Sequence, residues 1–157
     1  MALSGDSRFK WRKGDHVLPY GLNRLWQIIK AGWVLIVEGE SDCWTAWYYG
    51  IPALGAPGKG IWPVGWGEYI KELEVYVWQE PDAEDFVLRI LKTAPDLRFI
   101  AAPEGVKDIS EAHIQGQNVP TWFEELKAKA KSGKELKERA SNVQIAEVYE
   151  QACQVIE

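Results

Sequence analysis

The chain has 157 residues, a length that suits one compact domain with a sizeable core. Its net charge is −5 at pH 7, and because proteins that hold nucleic acid unaided usually carry a basic stripe, autonomous tight DNA binding is not expected. No uncharged apolar stretch is long enough to cross a membrane and the polar N-terminus does not fit a secretory signal, so we expect a soluble, cytoplasmic protein. The two cysteines, Cys43 and Cys153, make neither a disulfide framework nor a zinc site.

The apolar pattern predicts an alternation of helices and strands. A polar segment is followed by a short helix at 21–30, whose apolar face has four members: Leu22, Leu25, Trp26 and Ile29. The uninterrupted apolar run at 33–37 is typical of a strand buried on both faces. Further strands are predicted at 51–54, 75–78 and 97–101, with helices at 41–49, 66–73 and 82–91 and a helical turn after Asp108. This order predicts an α/β fold, namely a Rossmann-type, mainly parallel four-stranded sheet with helices on both faces.

The chain is predicted to divide into three parts. Residues 1–32 form a lead-in or linker with the short helix, residues 33–118 the core domain, and residues 119–157 C-terminal helices packed on or following that domain. Ser41 is a candidate N-cap for the helix at 41–49. Thr121 and Glu124 form a capping-box pattern ahead of a helix that ends near residue 133.

Acidic residues fall where the predicted strands end. Glu38 ends the first strand, with Asp42 close behind it; Glu80 and Asp82 follow the third strand, and Asp108 follows the fourth. In a parallel sheet these carboxylates gather at one end, where each close pair costs on the order of a kcal/mol unless cations offset the repulsion. Oxygen ligands of this kind suit Mg²⁺ or Mn²⁺. The alternative is that these are solvated loop acids, with two of them favouring helix N-termini.

Four segments resemble the Toprim domain, a module shared by DnaG-type primases, type IA and II topoisomerases and some nucleases. They are VLIVEGESD at 34–42, GIPALGAPG at 50–58, VYVWQEPD at 75–82 and GVKD at 105–108, and the likeness covers roughly residues 33–115. The preceding YGLNRLW at 20–26 is similar to the stretch that leads into Toprim in primases of phage and mobile elements. The resemblance implies a Toprim fold for the core domain at 33–118.

The resemblance also implies roles for individual acids. Glu38 falls on the family's invariant glutamate and is the candidate catalytic residue, as general acid/base or metal ligand. The candidate ligands of Mg²⁺ or Mn²⁺ are four: Glu80, Asp82, Asp108 and, in support, Asp42. The chain departs from the family pattern at three places: Glu80 replaces the first aspartate of a pair, Asp85 a usual glycine, and Ser110 a frequent second acid.

The implied activity is metal-dependent nucleotidyl transfer in DNA replication, by a catalytic-core fragment of a DNA primase that synthesises RNA primers. The expected partners are a single-stranded DNA template and nucleoside triphosphates in the parent protein, with a helicase or other replication domains as further candidates and no membrane. Candidate template or phosphate contacts are Lys107, Lys10, Arg12 and Lys13. The alternative for Lys107 is a surface lysine that balances nearby acids, and the alternative for the other three, which the sequence favours, is a linker from a preceding domain. We expect weak or no activity from this fragment alone. The alternatives are a Toprim nuclease that hydrolyses phosphodiesters and a non-catalytic module.

Overall fold

The structure, a computed structural model, describes Gly14, residues 16–58 and residues 60–154, with side chains up to residue 143. The described α-helices are α1 (Leu25–Ala31), α2 (Glu40–Tyr48), α3 (Glu84–Leu91), α4 (Ile109–Ile114), α5 (Val119–Ala128) and α6 (Gly133–Gln154). The described strands are β1 (Trp33–Val37), β2 (Ala53–Gly55), β3 (Glu74–Gln79), β4 (Arg98–Ala101) and β5 (Lys131–Ser132). Two 3₁₀ helices lie at Leu22–Arg24 and Val64–Tyr69. None of the helices in this part of the chain is long and apolar enough to cross a membrane.

The described strands form one mixed sheet in the order β2-β1-β3-β4-β5. The first four strands are parallel, as predicted, with Leu35 of β1 opposite Ala53 of β2 and Tyr76 of β3. The expected four-stranded sheet is corrected by β5, which pairs antiparallel with β4 and places Ser132 opposite Arg98. The polar pair Lys131–Ser132 carries no strand pattern. It joins the sheet through its pairing with the edge of β4.

Helices cover both faces of the sheet, which confirms this part of the prediction. Side chains alternate along each strand, so that Val34 and Ile36 face one core and Leu35 and Val37 face the other. The first core contains residues of α1, α3 and α6: Ile28, Phe86, Val87, Ile90 and Leu136. The second contains residues of α2, α4 and α5: Cys43, Ala46, Ile109, Val119 and Phe123. The carboxyl ends of β1, β3 and β4 therefore lie between two layers of helices.

Several predicted local features are wrong. The N-cap of α2 is Gly39 rather than Ser41, and α5 begins at Val119, so that Thr121 lies inside the helix and no capping box forms. The helix expected at 66–73 is the 3₁₀ helix at Val64–Tyr69, whose two glycines disfavour an α-helix. In α1 the buried residue is Ile28, whereas Trp26 and Ile29 are exposed, because the sheet covers another side of this short helix.

Candidate metal centre at the carboxyl end of the sheet

Three carboxylates from separate segments meet at the carboxyl end of the parallel strands. Asp42 lies in the first turn of α2, Glu80 directly follows β3, and Asp108 stands after β4 as the N-cap of α4. One oxygen from each carboxylate lies within 4.8 Å of the others. Because β1, β3 and β4 are parallel, the segments that follow these strands lie at the same end of the sheet. We call this group the acidic triad.

Asp42 is buried, and its carboxylate is held by α4. The residue is only 4% exposed. The backbone N–H and the hydroxyl of Ser110 both donate to Asp42 Oδ1, at 3.1 and 2.9 Å, and the Ser110 hydroxyl also lies 3.1 Å from Thr45 Oγ1. A Cβ atom at Gly39 would lie 2.9 Å from Asp42 Oδ2, so a side chain there would crowd the second oxygen. One oxygen of Asp42 is thus fixed by Ser110, and the glycine leaves room at the other.

Burial makes the charge of Asp42 unfavourable. Desolvation and the nearby charge of Asp108 raise the pKa of Asp42 from its ordinary value of 3.8 to about 6, although the hydrogen bonds from Ser110 act in the opposite direction. Glu80 adds a smaller effect that also raises this pKa. A cation beside the triad would favour the ionised carboxylate, so the electrostatics of this end of the sheet favour binding of positive charge.

The loop that carries Asp108 is fixed by hydrogen bonds on both sides. Asp108 Oδ1 accepts from the backbone N–H of Glu111 at 2.7 Å, while the Glu111 carboxylate accepts from the backbone N–H of Lys107. The first contact is the N-cap hydrogen bond of α4, and the second ties the residue before the cap to the same helix turn. The indole N–H of Trp78 donates to the Lys107 carbonyl at 2.9 Å, which ties the loop to β3. The orientation of Asp108 toward the triad is therefore built into the helix start.

Lys107 brings a positive charge to the triad. Its Nζ atom lies 3.2 Å from Glu80 Oε2 and 3.8 Å from Asp108 Oδ2. The hydrogen bond to Glu80 and the charge of Glu80, followed by the charges of Asp108 and Asp42, raise the pKa of Lys107 against a smaller opposing effect of burial. The lysine therefore stays protonated beside the acids.

The other site residues predicted from the sequence lie around this triad or outside the described part of the chain. Glu38 directly follows β1 and is partly buried, outside the triad. Asp82 is exposed in a turn with φ of 61° and lines a cavity of about 430 Å³ together with Glu80, Glu84 and Asp85. Lys10, Arg12 and Lys13 fall outside the described residues.

The sequence alone did not reveal the partners of the triad. In the sequence Ser110 is a departure from the family pattern, yet it supplies two hydrogen bonds to Asp42. The sequence feature that could have indicated this contact is the position of Ser110 two residues after Asp108, at the start of a predicted helical turn. The indole of Trp78 carried no signal, because a tryptophan in an apolar strand reads as core.

The donor set of the triad fits a hard divalent cation. All three groups are carboxylates, and the described residues place no His or Cys in the group. Carboxylate oxygens are the ligands that Mg²⁺ and Mn²⁺ prefer, whereas structural zinc sites use Cys and His. Ligand oxygens within 4.8 Å of one another are close enough to share one ion.

No protein-family model matches the chain. The chain is 31% identical over 86 residues to the Gene 57 protein of Mycobacterium phage D29, a match that covers 53% of this chain and 57% of that protein. The fold is similar to a structure of the DnaG catalytic core, with a TM-score of 0.64 and 22% identity, covering 86% of this chain and 47% of that one. It is also similar to a DnaG primase catalytic domain bound to single-stranded DNA, with a TM-score of 0.63 and 21% identity, covering 83% of this chain and 46% of that one.

The chain thus spans about half the length of the proteins that it matches. The resemblance to DnaG-type primases, inferred from four short segments, is confirmed as a likeness of fold.

Proposed function

We propose that this chain is the metal-binding part of a primase core that performs nucleotidyl transfer, with Mg²⁺ or Mn²⁺ held by Asp42, Glu80 and Asp108. One observation carries the proposal: three carboxylates from separate segments converge at the carboxyl end of a sheet whose fold is similar to that of DnaG catalytic cores. In open α/β sheets this end is where ligands usually bind.

A divalent ion bound there would supply charge neutralisation and alignment of phosphate oxygens for in-line displacement. The protein contributes the positions of the ligands. Ser110 fixes one oxygen of Asp42, and the N-cap hydrogen bond from the Glu111 backbone N–H orients Asp108. Glu38 remains the proposed general acid/base, since it directly follows β1 at the same end of the sheet and a carboxylate can accept the proton of an attacking hydroxyl.

Asp82 remains a proposed ligand of lower rank. It lies two residues after Glu80 and lines the same cavity of about 430 Å³, but it is exposed and outside the triad. Its backbone has φ of 61°, a left-handed value that is uncommon for residues other than glycine but that aspartate tolerates better than most. We propose that it contacts metal or metal-bound phosphate from the solvent side of Glu80.

We propose that residues outside the described part of the chain make most of the contacts with the template. The net charge of −5 gives the chain little general attraction for a polyanion, and Lys10, Arg12 and Lys13 are the proposed local contacts, with Lys107 as a phosphate contact. We further propose that residues 33–118 form a Toprim module, with a lead-in before it and helices after it. A single-stranded DNA template and nucleoside triphosphates are the proposed substrates, in a longer protein that acts in replication.

The first test is calorimetric titration of Mn²⁺ into the chain, paired with thermal melting. Binding to the folded state stabilises it by about 2.7 kcal/mol when the free ion exceeds Kd a hundredfold. Asp108→Asn should remove most of this response. Asp96→Asn, a matched change of an exposed aspartate paired with Lys134 on the surface, should keep it. Equal responses in the two variants would show that the triad is not the metal site.

The second test measures chemistry in the longer protein. Incorporation of labelled nucleotides on a single-stranded template should need metal and should fall by a factor on the order of 100 or more in Glu38→Gln, a change that keeps size but removes the charge. Glu68→Gln, at an exposed position in the 3₁₀ helix Val64–Tyr69 and outside the cavity lined by Glu80 and Asp82, is the matched control. Degradation of DNA or RNA with metal and without nucleotides would favour the nuclease alternative. Activity of Glu38→Gln near that of the unmodified protein would remove the catalytic role of Glu38.

A further inference from the structure

We propose that Lys107 is an internal counter-ion that occupies the acidic triad until a divalent cation displaces it, an inference that rests on the proposed metal-binding function. Its ammonium group contacts the two triad members that are most accessible from solvent, Glu80 at 3.2 Å and Asp108 at 3.8 Å. The side chains of these acids are 12% and 18% exposed, whereas that of Lys107 is 62% exposed. The lysine therefore reaches the acids from the solvent side, the same side from which an ion would arrive.

The backbone of Lys107 is positioned for this contact. Its carbonyl accepts from the indole N–H of Trp78, and its N–H donates to Glu111. Both backbone groups of the residue are thus anchored, and its side chain extends to Glu80 and Asp108. Lys134 offers a contrast, since it pairs at 2.7 Å with Asp96, and both side chains are well exposed, at 63% and 85%. Such a pair is an ordinary surface ion pair of small effect.

A counter-ion at this position reduces the repulsion among the triad carboxylates when no metal is bound. Three crowded carboxylates repel one another, and one of them is buried, so a nearby ammonium group lowers the cost of folding. The same ammonium group repels an incoming cation and contacts Glu80, a proposed ligand of that cation. Lys107 should therefore stabilise the metal-free protein and weaken metal binding, two effects that a merely structural lysine would not combine.

The test compares the unmodified 157-residue chain with Lys107→Met, which keeps the aliphatic stem and removes the charge. Lys107→Met should bind Mn²⁺ roughly three- to tenfold more tightly in calorimetry, the change expected from removing one partly screened unit charge. Without metal, its melting temperature should fall by about 2–5 °C, and saturating Mn²⁺ should remove the difference. Lys107→Arg should resemble the unmodified chain, and Lys134→Met is the matched control with unchanged Mn²⁺ affinity.

The outcomes separate this inference from the proposed function. Equal or weaker Mn²⁺ binding by Lys107→Met, with binding by the unmodified chain intact, would overturn the counter-ion role alone. Loss of melting temperature that persists at saturating Mn²⁺ would also overturn it, because the lysine would then support the fold. Absence of Mn²⁺ binding in every variant, with circular dichroism showing folded protein, would overturn both the inference and the metal site.

Discussion

A lysine lies at each end of the parallel strands, and the two lysines face opposite kinds of partner. At the amino end, the Nζ atom of Lys127 lies 3.5 Å from the centroid of the Trp33 ring, which stacks on Phe123. At the carboxyl end, the Nζ atom of Lys107 lies 3.2 Å from an oxygen of Glu80. The first lysine adds a favourable contact to an aromatic cluster, whereas the second offsets repulsion among acids.

The two ends therefore contribute to stability with opposite signs. Burial of aromatic rings at the amino end favours the folded state, because apolar area leaves water. Crowded carboxylates at the carboxyl end disfavour it, since like charges repel and Asp42 is buried. Groups with perturbed pKa values that cluster at such a cost are typical of functional sites. Substitutions at the amino end should reduce stability, and substitutions at the carboxyl end should alter metal binding.

The largest expected effect is on stability at the amino end. Phe123 is fully buried, and its ring centroid lies 6.1 Å from that of Trp33 at an interplanar angle of 16°. Phe123→Ala should lower the free energy of unfolding by about 3–5 kcal/mol, since it removes buried ring area and leaves a cavity. Urea denaturation measures this, with Phe123→Leu as the milder control. A loss under about 1 kcal/mol would mean that the cluster does not support the fold as the contacts indicate.

The next effect is a pH dependence set by Asp42, whose pKa rises from 3.8 to about 6 on folding. Between these values the folded state binds more protons than the unfolded state, so the contribution of Asp42 to stability falls as pH rises from about 4 to 6. Asp42→Asn keeps an acceptor for Ser110 but does not titrate. Its stability relative to the unmodified chain should therefore increase across this window, by about 1–3 kcal/mol in total.

Metal reverses the sign of this comparison, because an ion bound to Asp42 favours the ionised form. With saturating Mn²⁺ at pH 7, the unmodified chain should be the more stable of the two. Denaturation curves at several pH values, with and without Mn²⁺, measure both effects, and Asp96→Asn serves as an exposed control with a flat difference. A flat difference for Asp42→Asn as well would indicate that burial does not penalise this carboxylate.

Much of the fold follows from the apolar pattern. The strand predicted at 33–37 matches β1 at both ends, because the apolar run is bounded by Gly32 and Glu38. The errors fall where this pattern is weak. The strand β5 is two polar residues long and depends on its pairing with β4, which no local signal predicts. The segment Val64–Tyr69 has aromatic residues at helical spacing, but Gly65 and Gly67 disfavour an α-helix, and the segment forms a 3₁₀ helix.

Only the features of the site that follow from the sheet topology were predictable from the sequence. Acids that follow parallel strands must reach the same end of the sheet, and Asp42, Glu80 and Asp108 do so. The contact between Ser110 and Asp42 joins residues 68 positions apart, and it depends on how α2 packs against α4. Neither the burial of Asp42 nor the ion pair of Lys107 with Glu80 can be predicted from local sequence patterns, because both arise from packing among distant segments.

The smallest expected effect concerns Lys127 at the amino end. Its Nζ atom lies over Trp33 and 5.1 Å from the centroid of the Tyr76 ring, an arrangement typical of a cation–π contact. Lys127→Met keeps the aliphatic stem, so it should lower the free energy of unfolding by only about 0.5–1 kcal/mol. Urea denaturation measures this loss, and Lys129→Met, an exposed change near the same end of α5, controls for the helix dipole. Mn²⁺ affinity should be unchanged in Lys127→Met, in contrast to Lys107→Met, because no triad carboxylate contacts Lys127. A gain in Mn²⁺ affinity equal to that of Lys107→Met would mean that net charge, rather than the position of one lysine at the carboxyl end, controls metal binding.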